Sequence, residues 1–320
     1  MDNQYLKLDW RTAEKRAIRG GVAEGLLKIG EDKRVVVVSA DLAESVKVAE
    51  FKELNPERFI EVGVAEQNMA GVAAGLANEG MIPFMASYAS FSPGRNWEQI
   101  RVSIALSNAN VKIIGSHGGV ATGVNGPSHQ ATEDVALMRV LPNMTVLVPA
   151  DANQCAAAIE EAYQCKGPVY IRTARPATPN FTKEEPFEIG KIYKYREGNS
   201  VTVCASGILT WEALMLAEEL AKEGMQCEVL NISTVKPLDE ATLLASVKKT
   251  GVVVTMEDHQ IEAGMGSAVA ELLSEKYPVR VKRLGIKNRF GISGDWQEVY
   301  EKMGIDRASL KEEIKRFVYA

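Results

Sequence analysis

Histidine and cysteine are scarce in this 320-residue chain, three and four respectively. The cysteines Cys155, Cys165, Cys204 and Cys227 form no C-x-x-C pair and stand at no metal-ligand spacing from a histidine, so no metal ligands are assigned to the chain. They read instead as small hydrophobes. No window approaches the roughly 20 apolar residues of a helical membrane span. The first ten residues lack the apolar stretch of a signal peptide, so a cytoplasmic protein is expected. Basic runs are also missing. The 37 basic and 42 acidic residues leave a net charge of −5, spread over both halves. Neither nucleic acid nor an anionic membrane is an expected partner.

What is present is alternation. Short β-branched runs at 35–38, 82–86, 112–115, 144–148, 169–172, 201–205, 227–232, 252–256 and 279–284 read as buried strands. Helical periodicity fills 153–165, 211–223 and 266–276 between them. Strands and helices alternating in this way predict an α/β fold of two domains, each a mainly parallel sheet flanked by helices. Residues 175–186, RPATPNFTKEEP, carry three prolines and read as a linker. The domains are placed at 1–178 and 188–320.

Three segments could carry chemistry. EVGVAEQNMAGVAAGL at 61–76 opens a helix at Glu66 whose small residues allow close approach of a neighbour. A carboxylate there is usually a favourable charge on the helix dipole, but one buried in such surroundings needs a partner. SHGGVATGVNGPSHQ at 116–130 follows a strand and holds His117 and His129. Loops after strand C-termini are where parallel sheets bind ligands, and imidazole suits proton transfer near neutrality. SYASFSPGRNW at 87–97 offers Tyr88, Phe91 and Trp97 for stacking or for core packing.

Together these segments resemble the transketolase family. The likeness rests on SADL (39–42), GVAEQNMAGVAAGLA (63–77), YASF (88–91), HGGVATGVNGPSHQ (117–130), LPNMTVLVPAD (141–151) and RTARP (172–176). In the second half it rests on STVKPL (233–238) and EDHQIEAGMG (257–266). The resemblance implies a pyrimidine-binding domain followed by a transketolase C-terminal domain, with thiamine diphosphate as cofactor. It implies that Glu66 promotes the cofactor's ylid by hydrogen-bonding its aminopyrimidine ring, that Phe91 stacks on that ring beside Tyr88, and that Asp41 and Leu42 line the cofactor. His117 and His129 then bind donor oxygens and shuttle protons. Arg19 (with Arg16 close by as the alternative), Ser45 and Arg175 hold the sugar phosphate.

One departure concerns the donor: Asn125 stands where the family carries an aspartate. Another concerns the cofactor, because the GDG that marks the family's diphosphate- and Mg²⁺-binding domain is missing; Gly294-Asp295 is followed by Trp296. The resemblance therefore implies the C-terminal subunit of a split transketolase, moving a two-carbon ketol unit between phosphorylated sugars. An N-terminal partner subunit would supply the diphosphate and Mg²⁺ ligands in an α2β2 heterotetramer, with a dimer of this chain at its centre. The β subunit of a 2-oxoacid dehydrogenase, deoxyxylulose-phosphate synthase and a non-catalytic scaffolding subunit are the competing readings.

Overall fold

The computed structural model describes residues 3–320, so the first two of the ten residues read for a signal peptide lie outside it. Two parallel-rich sheets form the core. In the larger, strands run in the order Phe59–Glu61, Val35–Ser39, Ile82–Tyr88, Lys112–Ser116, Val169–Arg172, Thr145–Leu147 and Thr234–Lys236. Its neighbours pair in parallel except the last, which is antiparallel. The smaller sheet runs Arg280–Ile286, Val252–Gln260, Val201–Ala205, Cys227–Asn231 and Tyr193–Arg196. Among the described residues no helix is long and apolar enough to cross a membrane. The four cysteines are unpaired, three buried and Cys165 partly so.

The strand residues explain this layering. Val35, Val36, Val37 and Val38 are all buried, odd positions packing into one apolar cluster and even positions into the other. A run apolar at every position suits a strand covered on both faces. On one face helix Gly20–Ile29 crosses helix Ala152–Gln164 so closely that a Cβ at Gly21 or Gly25 would overlap the partner helix. On the other, helix Glu66–Asn78 buries Met69, Ala70, Ala73 and Ala74.

Two expectations need correction. Residues 175–186 are not a free tether: Ala177–Pro179 pairs antiparallel with Lys15–Ala17, and Asn180, Phe181 and Thr182 are buried. The Thr182 amide and hydroxyl donate to the two oxygens of Asp151 at 2.6 and 2.7 Å, which also caps helix Ala152–Gln164. Within 175–186 the exposed residues are Ala177 and 184–186. STVKPL also does not stay with the second sheet, because Thr234–Lys236 crosses over to close the edge of the first.

Register brings the functional loops together. Ser39 lies opposite Glu61, Tyr88 opposite Ser116, and Gly115 opposite Arg172. The loops that follow these residues therefore leave the same edge of one sheet, the carboxyl edge.

Candidate functional site

Glu66 begins its helix 1% exposed. One carboxylate oxygen, Oε2, accepts from Arg95 Nη1 at 2.6 Å; the other, Oε1, is buried with no hydrogen-bond partner. Its backbone carbonyl accepts from Asn96 Nδ2 at 2.9 Å. A buried acceptor left unmade is costly, which marks Oε1 as a place where a ligand donor fits. Arg95 was missed from sequence. The available signal was a cation four residues after Phe91: Arg95 N–H donates to the Phe91 carbonyl at 2.9 Å, and the turn lays the guanidinium 4.7 Å from the Phe91 ring centre.

Phe91 and Tyr88 stack with centroids 5.8 Å apart. Tyr88 lies 4.0 Å from the His117 ring, and His129 packs edge-on against Phe91 at 5.3 Å and Tyr88 at 5.9 Å. The carboxylate, both aromatics and both histidines thus form one constellation. His117 adopts the left-handed region at φ 62°, and its Nδ1 lies 2.9 Å from Ser116 Oγ. The Ser116 hydroxyl rotates to suit either tautomer, leaving Nε2 to donate or accept. Burial pulls the His117 imidazole down to about 3, with the charges of Arg19 and Arg175 adding to the effect. A neutral imidazole beside two cations suits the binding of an anionic substrate.

Arg19 donates to the Ser45 carbonyl, and Arg175 to the Thr122 carbonyl at 3.2 Å. Burial and the neighbouring Arg175 lower the Arg19 guanidinium from its ordinary value. Arg16 instead pairs with Glu24. Ser45, Asp41 and Leu42 line a cleft with Glu61, whose Oε1 accepts from the Asp41 amide at 2.7 Å. Asn125 is exposed at the end of the 3-10 turn Val120–Asn125 and joins none of the histidine contacts.

Sequence reasoning also missed the groups that hold the 117–130 loop. Asp258, near the end of the second-sheet strand Val252–Gln260, accepts the amides of Val120 and Ala121 at 2.9 and 3.1 Å and the Tyr300 hydroxyl at 2.9 Å. Gln130 Nε2 donates to the Ile292 carbonyl at 2.8 Å. Burial pushes the Asp258 carboxyl above its usual range, with Arg172 and these donors opposing. Arg172 is itself buried against Asp134 at 2.9 Å. Asp258 lies in the EDHQIEAGMG segment, in the last third of a strand buried from Val253 to His259, and nothing local points to its partners in the loop.

Residues 7–180 match the transketolase pyrimidine-binding domain, and residues 190–310 the transketolase C-terminal domain. The chain is 44% identical over 294 residues, 91% of each chain, to the 6-deoxy-6-sulfo-D-fructose transketolase subunit of Clostridium sp.. It is 40% identical over 304 residues to a putative transketolase C-terminal section of Methanocaldococcus jannaschii, covering 93% of this chain and 95% of that one. Among solved structures, a split-gene transketolase described as an inactive beta4 tetramer has a TM-score of 0.88 at 43% identity, covering 95% of this chain and 98% of its own. A Campylobacter jejuni transketolase, at 24% identity and TM-score 0.77, shares the fold over 97% of this chain and 49% of its own. The chain belongs to the transketolase family and carries its pyrimidine-binding and C-terminal domains, the pair held by the C-terminal subunit of a split transketolase.

Proposed function

We propose that the chain is one subunit of a two-chain transketolase that uses thiamine diphosphate to move a two-carbon ketol unit between phosphorylated sugars. The observation that carries this reading is the free, buried Oε1 of Glu66, whose other oxygen is joined through Arg95 to the Phe91 face of the stacked Tyr88–Phe91 pair. A carboxylate oxygen in want of a donor, linked in this way to an aromatic face, fits an aminopyrimidine ring. When bound, the cofactor supplies an acidic thiazolium carbon that can carry the two-carbon unit. Glu66 would hold and exchange the proton at the pyrimidine nitrogen. Phe91 would orient the ring, with Tyr88 behind it and Asp41 and Leu42 at its border. His117 and His129 would bind the donor's oxygens and move protons at them.

Arg19, Ser45 and Arg175 would grip the anionic end of the sugar, Arg through its planar fork of donors. Two relatives are described as acting on anionic sugars, 6-deoxy-6-sulfo-D-fructose and apulose-4-phosphate, which supports a cationic corner here. Asn125 replaces the charge of an aspartate with an amide that both donates and accepts, so donor preference is where this chain would differ.

Mg²⁺ and the diphosphate are assigned to a partner subunit in an α2β2 assembly. The purified chain alone should then bind thiamine diphosphate weakly, and adding the partner with Mg²⁺ should restore tight binding and ketol transfer. Tight, Mg²⁺-dependent binding to the chain alone, read by calorimetry, would overturn the division of labour.

A further inference from the structure

One of the contacts that the second domain makes with the first bears directly on the His117 loop. Asp258 sits 2% exposed, and its two oxygens are shared among the amides of Val120 and Ala121 and the hydroxyl of Tyr300. Those amides open the turn that follows His117, and the Thr122 hydroxyl closes the turn by donating to the His117 carbonyl at 2.6 Å. Gly119, at φ 85°, is where the carboxylate lies against the chain; a Cβ there would overlap it. A glycine in the left-handed region accepts that approach without strain. The loop therefore has its curvature set from outside, by a carboxylate 141 residues (258 − 117) beyond the histidine it flanks.

We propose that Asp258 is a positioning residue: it fixes the backbone after His117, and through it the placement of the imidazole for the sugar donor. The donor part rests on the transketolase reading; the loop part does not. An aspartate is required because all three partners are donors and a carboxylate accepts at both oxygens. An asparagine would turn an N–H toward at least one of them. Tyr300 positions the carboxylate in turn and is held by Trp296 packed edge-on at 5.4 Å.

The test compares Asp258→Asn, Tyr300→Phe and, as a control, Asp239→Asn. Asp239 is another second-domain carboxylate that accepts backbone amides, those of Thr242 and Ile192, away from the loop. Amide hydrogen exchange and histidine NMR are read on the purified chain, and donor kinetics on the two-chain enzyme. With Asp258→Asn, exchange at Val120 and Ala121 should accelerate at least tenfold and the His117 signals should move. The Gln154 and Thr182 amides, bound to Asp151, should not change. Donor KM should rise at least tenfold with kcat within about twofold, and C2 proton exchange of bound cofactor should be unchanged. Tyr300→Phe should move the same readouts less, and it serves as the test should Asp258→Asn fail to fold. Asp239→Asn should move none of them. Unchanged exchange at residues 120 and 121 in both loop variants would overturn the proposal, as would equal effects from the control. Altered exchange and His117 signals in a chain that transfers no ketol unit even as wild type would refute the donor role and the transketolase reading, and leave the loop clamp standing.

Discussion

Removing the guanidinium of Arg175 tests whether the corner formed by Arg19, Arg175 and His117 grips a substrate anion. Arg175 gives one N–H to the Thr122 carbonyl at 3.2 Å, and the rest of its five donors remain for a ligand. Arg175→Ala therefore deletes one charge-assisted interaction while Arg19 keeps its own. Such an interaction is worth about 1.5–3 kcal/mol. At about 1.4 kcal/mol per factor of ten, KM for a phosphorylated ketose should rise about 10- to 150-fold. The Thr122 carbonyl also loses a donor, costing stability about 1 kcal/mol. The assay is steady-state kinetics of the two-chain enzyme with a ketose phosphate and its dephosphorylated counterpart, and only the first should suffer. An equal rise in KM for both would show that Arg175 merely holds the loop through Thr122.

His117 provides a pH test. Its pKa in the fold is about 3, below the ordinary 6.5, so the unfolded chain takes up the proton that the fold refuses. Its stabilising contribution is complete above pH 6.5 and is lost as pH falls toward 3. Histidine NMR should show no His117 titration between pH 5 and 8; a midpoint near 6.5 would refute the buried, doubly opposed imidazole. If residue 125 faces the donor as proposed, Asn125→Asp places a charge there, and the ranking of ketose donors should change while C2 proton exchange does not. An unaltered ranking would show that residue 125 does not face the donor.

Much of this was legible because the signals were local. Uninterrupted valine at 35–38 announced a strand buried on both faces, and Glu66 stood at the start of a helix built of small residues. Glycine and proline around His117 and His129 marked a loop that bends tightly. What escaped depends on partners far along the chain. Thr234–Lys236 belongs to the second domain's sequence and the first domain's sheet, which no period reveals. Residues 175–186 read as a linker because the partners of Asn180 and Thr182, the side chains of Asp151 and Asn153, lie about thirty residues away. The sequence assigned no role to Arg95 or to Asp258, because their partners, Glu66 and the amides of Val120 and Ala121, are set against them only by the fold.

The central claim is that Glu66 activates the cofactor, and C2 hydrogen–deuterium exchange in the two-chain complex measures it. Glu66→Gln preserves the side chain's length, and glutamine tolerates a helix start, losing only about 0.3–1 kcal/mol of dipole interaction. It also removes the ion pair to Arg95, whose half-exposed guanidinium can turn to water. Gel filtration should therefore show intact assembly. Proton-transfer assistance is worth about 10²–10⁴ in rate, and exchange read by acid-quench NMR should slow by a factor in that range. Wild-type exchange in a correctly assembled Glu66→Gln complex would contradict the account.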